Sequence, residues 1–429
     1  MISSRIIMFT HILLFFFTII SCTTLAIAPT NEAVVITHTH KNIIGLRIAY
    51  IGCAAERVAS TIASDLAFSG HFAVDTIEYR CAPMKKQEIT ALAAQNIFFL
   101  LILESHHETL EYRFYDTTTG DMIPKANGRC TVHDTTVTFC AHHIADKLWH
   151  HLMGSASPFL THIAYAKEVP YKKGITIKHL CIADYDGTHE KILVATPTIS
   201  IAPRWGGTAE HPLIFYSEYT STNVQLMVVD MRKKRKIVSR YDGTTTHFTS
   251  NHDGSCHAFA ASRGSGTSQI YMRKKGGELM QVTNNDATNG CPVFNHDSSI
   301  LYYYSDIYTD VPHLICYTLA TKKHTTLPIS GYCVSPAYNN QRKLLAYSKL
   351  IDGFMQICTY NPQTQQEHQI TFDAGNHEDP TWSPDGNFLA YTHEINNTSR
   401  IRVHAHATGI EHYITPAGIN CTYPAWSLS

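Results

Sequence analysis

The sequence predicts an α/β N-terminal domain followed by an all-β six-bladed β-propeller. Three observations lead to this fold class. Aromatic residues end short apolar strands at a steady interval through the C-terminal two thirds of the chain. A proline keeps the same interval one strand earlier. Upstream of this repeat the pattern changes to alternating strands and helices, which predicts a separate domain of another class.

The repeat unit is clearest at residues 378–391. Within it, residues 383–386 read Ser-Pro-Asp-Gly and form a predicted reverse turn, because proline suits the second turn position and glycine the fourth. Apolar strands flank this turn on both sides, and the second strand ends at Tyr391. The unit is therefore predicted to be a β-hairpin.

Three positions of this hairpin keep one period. The aromatic position recurs as Tyr165, Tyr216, Phe259, Tyr303, Tyr347 and Tyr391. The proline position recurs as Pro203, Phe248, Pro292, Pro336, Pro380 and Pro424, and the position two residues later as Trp205, Ser250, Phe294, Tyr338, Trp382 and Trp426. A repeat of about 40 to 50 residues is typical of a β-propeller blade. A β-sandwich with coincidental spacing is the alternative, and three positions with one shared period argue against it.

Residues 1–28 are predicted to be a signal peptide. Arg5 precedes a mostly apolar run at residues 6–20, which is short and weakly flanked for a membrane span. An uncleaved anchor is the alternative. Small residues at 26–28 and at 24–26 offer two cleavage sites, and residues 19–22 weakly resemble a lipoprotein box. We expect a soluble, exported mature protein.

Composition narrows the function only slightly. The chain has 34 basic and 35 acidic residues, so its charge gives no general attraction to nucleic acid. It has 12 cysteines, of which Cys130 and Cys140 are placed to bridge a hairpin, and a Cys53–Cys81 pair is conceivable. The sequence has no CxxC motif and no Cys/His spacing of a zinc site, and it predicts no cofactor.

The N-terminal domain is predicted to span residues 29–155. Its predicted strands are residues 46–51, 72–78, 97–103 and 110–115, and its predicted helices are residues 56–69, residues 87–94 and a last helix that ends before Gly154. Apolar residues recur in that last helix at helical spacing: Ala141, Ile144, Ala145, Leu148 and Leu152. The alternation predicts a small layered α/β domain.

The propeller is predicted to span residues 162–429. Residues 163–165, 176–183 and 191–195 supply three strands of a blade that lacks its inner strand, and residues 423–426 match the missing strand. The two ends of the propeller would then complete one blade together, which removes exposed sheet edges. Five whole copies and this composite make the six predicted blades.

Four tracts resemble the TolB family, the exported propeller proteins of the Tol-Pal cell-envelope system. They are residues 62–72 (Ile-Ala-Ser-Asp-Leu-Ala-Phe-Ser-Gly-His-Phe), residues 114–120 (Phe-Tyr-Asp-Thr-Thr-Thr-Gly), residues 182–187 (Ile-Ala-Asp-Tyr-Asp-Gly) and residues 424–427 (Pro-Ala-Trp-Ser). The resemblance covers nearly the whole predicted mature chain. The sequence departs from the family pattern at Phe248 and Ser250 and in its richness in cysteine and histidine.

The resemblance implies a binding protein and no enzyme activity. It implies a periplasmic adaptor that binds the peptidoglycan-associated lipoprotein Pal and a TolA-like inner-membrane protein, maintains envelope integrity and supports cell division. The family uses its mature N-terminal segment to contact TolA, and that segment would correspond to residues 27–37 here. No nucleic-acid partner is expected.

A partner site is predicted at one mouth of the propeller channel. Loops that lead into the inner strands converge there, so residues just before the repeated proline positions become candidates. The candidates are Thr244, His247, Gly290, His377, Glu378 and Asp379. The first three also match positions where the family's lipoprotein contact lies. The alternative is that all six only shape turns, and we expect Glu378 and Asp379 to be exposed charges.

A propeller-associated hydrolase or peptidase is the alternative function. The sequence has no G-x-S-x-G motif, residues 264–268 have the wrong spacing for one, and no hydrolase domain follows the propeller, so no catalytic residue is predicted. The histidine pairs at 142–143 and 150–151 lack the i, i+4 spacing of a helical zinc pair and are predicted to be exposed or partly packed. Asp184 and Asp186 flank a turn without the other ligands of a calcium loop, so no metal is predicted.

Overall fold

The computed structural model describes residues 43–79, 84–208, 210–239, 241–263 and 266–427. The predicted signal peptide, the adjoining residues 29–42 and Cys81 lie outside the described residues. Within the described ranges, no helix is both long and apolar enough to cross a membrane. The chain from Ile43 onward forms one compact unit. The predicted domain boundaries stay a prediction.

The N-terminal part is an α/β layer built on one sheet. Its strands are β1 (Ile44–Ile51), β2 (Phe72–Glu78), β3 (Phe99–His106), β4 (Thr109–Asp116), β5 (Asp121–Met122) and β6 (Gly128–Thr131). The strand order is β2-β1-β3-β4-β5, and β6 pairs with β4. β1 runs parallel to β2 and β3, whereas β3 and β4 form an antiparallel hairpin. The predicted α/β region is confirmed.

Three helices cover this sheet in the described residues: α1 (Cys53–Phe68), α2 (Lys86–Ala91) and α3 (Val137–Met153). Short 3-10 turns lie at Ala93–Gln95, Pro124–Ala126 and Lys172–Gly174. The predicted apolar stripe of α1 is buried, because Val58, Ile62 and Leu66 have no exposed surface. Cys130 and Cys140 form a disulfide that ties β6 to α3, so the predicted pair is present but does not close a hairpin.

The first propeller sheet has eight strands. They are β7 (His162–Pro170), β8 (Thr176–Asp184), β9 (Lys191–Val194), β10 (Ile199–Gly207), β11 (Pro212–Tyr219), β12 (Val224–Asp230), β13 (Arg235–Ser239) and the last strand, β30 (Cys421–Trp426). The order is β13-β12-β11-β10-β8-β7-β30, with β9 on β8. β10 and β8 are joined at one register pair, Ile199 with Lys178. β30 pairs with β7, so the first and last strands of the propeller lie side by side in this sheet, where the sequence predicted a composite blade.

Four antiparallel sheets of four strands follow in the described chain. The first holds β14 (Thr245–Ser250), β15 (Cys256–Ala261), β16 (Gln269–Lys274) and β17 (Leu279–Gln281), and the second β18 (Asn289–Phe294), β19 (Ile300–Ser305), β20 (His313–Thr318) and β21 (Lys323–Thr326). The third holds β22 (Cys333–Asn339), β23 (Leu344–Ile351), β24 (Phe354–Asn361) and β25 (Gln366–Gln369), and the fourth β26 (Asn376–Trp382), β27 (Phe388–Ile395), β28 (Thr398–Ala405) and β29 (Glu411–Tyr413). A β-propeller is therefore present, with four separate four-stranded sheets where the sequence predicted six blades.

The repeated aromatic position is buried in every copy. Tyr165, Tyr216, Phe259, Tyr303, Tyr347 and Tyr391 are at most 7% exposed. Three of the hydroxyls donate to a glutamate on the outermost strand or just before it: Tyr165 to Glu190, Tyr347 to Glu367 and Tyr391 to Glu411. The repeat thus fixes both an apolar ring and a polar tip inside the blades, which explains why tyrosine dominates this position.

The α/β part and the propeller pack directly on each other. Phe68 at the end of α1 stacks on Phe388 of β27, with ring centroids 5.2 Å apart. The indole of Trp426 donates to the Thr161 hydroxyl at 2.7 Å, just before β7 begins. One apolar cluster includes residues from α1, α3, β7 and β27. The closing strand β30 is therefore anchored against the N-terminal part.

Candidate functional site

The inner strands of the propeller share an irregularity. β10, β14, β18, β22, β26 and β30 each shift register at a β-bulge against the neighbouring strand. Each bulge holds a residue other than glycine at a φ between 49° and 58°: Ala202, His247, Cys291, Ser335, Asp379 and Tyr423. We call these six residues the bulge ring. Positive φ is strained for a residue with a side chain, and such strain is frequent at functional sites.

A cavity of about 170 Å³ lies between these inner strands. All six contribute a side chain to its wall: Arg204 of β10, His247 of β14, Cys291 of β18, Pro336 of β22, Pro380 of β26 and Trp426 of β30. The wall combines apolar rings with one guanidinium and one imidazole. The inner strands therefore surround a common channel that can present both apolar and polar groups to a ligand.

Five of the six predicted partner-binding residues lie within inner strands and not in the loops before them. His247 is in β14, Gly290 in β18, and His377, Glu378 and Asp379 in β26, while Thr244 immediately precedes β14. The predicted loop position is wrong because each inner strand begins several residues before the repeated proline. His247 and Asp379 belong to the bulge ring. A role of the six residues in binding stays a prediction.

Glu378 and Asp379 are half-buried, so the prediction of exposed charges is wrong. Burial, followed by the carboxylates of Asp379 and Glu394, raises the pKa of Glu378 to about 7. Burial also raises the pKa of Asp379, while Arg204 opposes this rise. The Ser335 hydroxyl donates to Asp379 Oδ1 at 2.9 Å across two neighbouring sheets. A cationic group of a partner would favour the ionised form of both carboxyls.

His247 and His377 are both neutral imidazoles, but of the two only His247 lines the channel cavity. Burial and then the Arg204 charge lower the pKa of His247 to about 4. Among the described residues its Nδ1 has no hydrogen-bond partner, and its side chain lines the channel. Burial and then His393 lower the pKa of His377 to about 4, and His377 has no exposed surface. His377 is therefore not a surface residue, contrary to the prediction.

His377 belongs to a second set of repeat positions, three residues before the proline position. Its members are fully buried: Ser200, Thr245, Asn289, Cys333, His377 and Cys421. His377 Nε2 lies 3.1 Å from Asp373 Oδ1, and its ring stacks on His393 at 4.5 Å. Arg402 donates to Asp373 at 2.8 Å. The same guanidinium also donates to Glu411 at 2.9 Å, so Asp373, His377 and His393 belong to a packed polar network that already contains one cation.

The histidines of α3 do not behave alike. His143, His150 and His151 are exposed, as predicted, but His142 is 2% exposed and contradicts the prediction. Burial disfavours a charge on this ring, but Asp186 and Asp65 outweigh burial and raise the pKa of His142 to about 10. Asp186 therefore does more than shape its turn. Sequence spacing could not reveal this, because Asp65 and Asp186 are far from His142 along the chain.

Comparison with known proteins identifies the family. The family model described as the TolB beta propeller domain matches residues 149–429. The chain belongs to the TolB family. The TolB match covers more than half of the sequence and every propeller strand that follows α3.

Relatives and a solved structure agree with this assignment. The chain is 27% identical over 209 residues to a Tol-Pal system protein TolB of Haemophilus influenzae (strain 86-028NP), covering 46% of this chain and 48% of the relative. It is 23% identical over 342 residues to the TolB of Gluconobacter oxydans, covering 78% and 74%. The match thus spans about half the length of the first curated relatives. The crystal structure of TolB from Acinetobacter baumannii has the same fold, with a TM-score of 0.75 at 18% identity over 90% of this chain and 97% of that one.

Proposed function

We propose that the chain is a non-catalytic, periplasmic adaptor of the Tol-Pal system. It binds a peptidoglycan-associated lipoprotein, Pal, at the channel mouth and a TolA-like inner-membrane protein through its mature N-terminal segment. In this role it maintains envelope integrity and supports cell division. Membership of the TolB family and the Tol-Pal names of its relatives support the system assignment. The partners follow from the family resemblance of the sequence.

The proposal includes a six-bladed propeller. The eight-stranded sheet would consist of two blades, β30-β7-β8-β9 and β10-β11-β12-β13, in contact at the pair Ile199 and Lys178. The bulge ring supports this count, since one bulge occurs in the inner strand of each proposed blade. The shared channel cavity supports it as well, because its wall takes a residue from each of those strands.

The observation that carries the proposed lipoprotein site is the chemistry of His247. The side chain lines the channel, is uncharged at neutral pH and keeps Nδ1 without a partner in the described part of the chain. A buried nitrogen without a hydrogen bond costs about 1 to 3 kcal/mol, and a partner that supplies a donor or acceptor would recover that energy. Thr244 is exposed beside it at the start of β14 and can contact the same partner.

The test compares two histidines of one hairpin. His247→Ala should weaken binding of purified Pal by about tenfold or more, as expected for a central interface residue. His252→Ala is the matched control, because His252 is exposed in the turn at the other end of β14. The folded state should tolerate alanine at position 247, since Ala202 holds the equivalent bulge position. A folded His247→Ala chain that binds Pal as tightly as the His252→Ala chain would contradict the site.

The second partner is tested separately. Deleting residues 27–40, which lie outside the described residues, should abolish binding to a TolA-like protein and leave Pal binding and the unfolding midpoint unchanged. If this deletion spares every inner-membrane partner, the proposed N-terminal contact is wrong.

A further inference from the structure

A cluster of polar side chains joins α3 to the turn that follows β8. At its centre is His142, whose Nδ1 lies 2.8 Å from Asp65 Oδ2 on α1. The Tyr185 hydroxyl donates to the other oxygen, Asp65 Oδ1, at 2.5 Å. Asp65 is therefore held in place and directs the Nδ1–H of His142 toward itself. A carboxylate behind one imidazole nitrogen is the arrangement that orients metal-binding histidines, with the other nitrogen facing the ion.

The other nitrogen of His142 lies beside the Asp186 carboxylate. Nε2 lies 3.2 Å from Asp186 Oδ2, but it has no hydrogen-bond partner among the described residues. One donor atom each from His142, Asp184 and Asp186 lies within 4.8 Å of the others. Two ligands bound to one ion at about 2.0 to 2.2 Å stand roughly 3.0 to 3.5 Å apart in tetrahedral or octahedral geometry. The Nε2 to Oδ2 separation matches that spacing without any movement.

Both carboxylates are themselves fixed. Asp186 Oδ1 accepts from the Thr188 backbone N–H at 2.9 Å and from its hydroxyl at 2.7 Å, which leaves Oδ2 for a ligand. Asp184 Oδ2 lies 2.6 Å from His189 Nδ1. The side chains of Asp184 and Asp186 are 18% and 22% exposed, so water can reach one side of the cluster. Asp184 and His189 also line a cavity of about 640 Å³, so this cavity adjoins one of the three residues.

We propose that His142, Asp184 and Asp186 bind one divalent transition-metal ion, for which Zn²⁺ is the probe. One imidazole nitrogen and two carboxylate oxygens form a donor set that suits Zn²⁺, with water in the remaining position. The ion would connect a helix of the α/β part to a turn of the first propeller sheet. Because the three ligands come together only in the folded chain, binding stabilises the fold by mass action. Asp65 acts as a positioning residue.

The ordinary alternative is a proton on Nε2, which would make the cluster an ionic contact between the two parts of the chain. Two measurements distinguish the metal site from the ionic contact: calorimetric titration of the full chain with Zn²⁺, and the zinc content of the chain after dialysis. The wild-type chain should bind one more equivalent of Zn²⁺ than Asp186→Asn, which keeps the side-chain shape and removes the charge. The unfolding temperature of the wild-type chain should rise with added Zn²⁺, and that rise should be absent in Asp186→Asn.

Two control variants exclude zinc bound elsewhere on this histidine-rich chain. His143→Ala removes an exposed histidine beside His142, and Asp373→Asn alters the polar network around His377. Both controls should bind zinc like the wild-type chain. If the wild-type chain and Asp186→Asn bind the same number of zinc ions, the proposal is wrong and the cluster is an ionic contact only. The proposal is also wrong if either control variant binds one zinc ion fewer than the wild-type chain. If Asp186→Asn does not fold by circular dichroism, Asp184→Asn provides the same comparison.

Discussion

Trp382 and Trp426 occupy the same repeat position, but their indole N–H groups differ in bonding. Trp426 Nε1 donates to Thr161 Oγ1 at 2.7 Å. Trp382 Nε1 is buried, and within the described residues it has no hydrogen-bond partner. The two side chains are almost equally buried, at 5% and 7% exposed. Replacing each by phenylalanine therefore removes a similar apolar area and a different polar interaction.

The structure sets the size of the expected difference. Trp426→Phe loses a buried hydrogen bond and leaves the Thr161 hydroxyl with one partner fewer, which costs about 1 to 3 kcal/mol beyond the lost packing. Trp382→Phe removes a donor whose burial was itself unfavourable by about 1 to 3 kcal/mol, and this gain offsets the lost packing. We expect the free energy of unfolding to fall by about 2 kcal/mol more for Trp426→Phe than for Trp382→Phe.

Urea denaturation of the two variants beside the wild-type chain measures this difference, provided that the slopes against urea agree. In a Thr161→Val background, Trp426→Phe should cost less, because the hydrogen bond is already gone. A difference between the two tryptophan variants below about 0.5 kcal/mol, which is the usual scatter of such comparisons, would refute the reasoning.

Three further predictions follow from burial, backbone contact and strand pairing. Glu378 binds its proton more tightly in the folded chain than its ordinary pKa of 4.5 allows, so the wild-type chain should lose stability as the pH rises from about 4.5 to about 7. In Glu378→Gln, the free energy of unfolding should fall by roughly 1 to 2 kcal/mol less between pH 5 and pH 8 than in the wild-type chain, as measured by urea denaturation at both pH values. An equal fall in both chains would contradict this prediction. Gly45→Ala should destabilise the chain by about 3 kcal/mol or prevent folding, because a Cβ would lie 1.9 Å from the Asn96 carbonyl oxygen. An unchanged thermal midpoint in this variant would refute this contact. Deleting residues 421–429 should remove the strand that pairs with β7 and cause aggregation on heating, measured by light scattering. A thermal unfolding midpoint within about 2 °C of that of the full chain would argue against closure by β30.

The sequence predicted the repeated elements well because every copy has the same neighbours. The position of Tyr391 is buried in all six copies and always holds an aromatic residue, whereas the positions of Pro380 and Trp382 are more variable. The turn at Ser383 and Gly386 forms as predicted, with the Gly386 N–H donating to the Ser383 carbonyl at 2.9 Å. Local turn chemistry and the packing of neighbouring strands were sufficient to predict these elements.

The bulge ring escaped prediction for a physical reason. The residue before a proline ordinarily favours extended backbone, so the local sequence gives no reason for a positive φ at Asp379 before Pro380. Asp379 has a φ of 55° instead, because the bulge shifts β26 against β27 between Glu378 and Thr381. The six residues of the ring share a backbone conformation and no chemistry, so no residue type recurs in the sequence to mark them. In the sequence, these six positions share only their spacing along the repeat.

Local sequence patterns could not predict the contacts at the junction between the α/β part and the propeller, for the opposite reason. Asp65, His142 and Asp186 meet at this junction, and within the described residues the repeat has no second copy of the contact that could reveal it. Helical periodicity places His142 beside the buried stripe of α3, where an imidazole can be either exposed or packed. The propeller turn at Asp186 decides between the two outcomes. The contacts between the two parts of the chain are therefore set by tertiary packing, even where every element that contributes to them is predictable by itself.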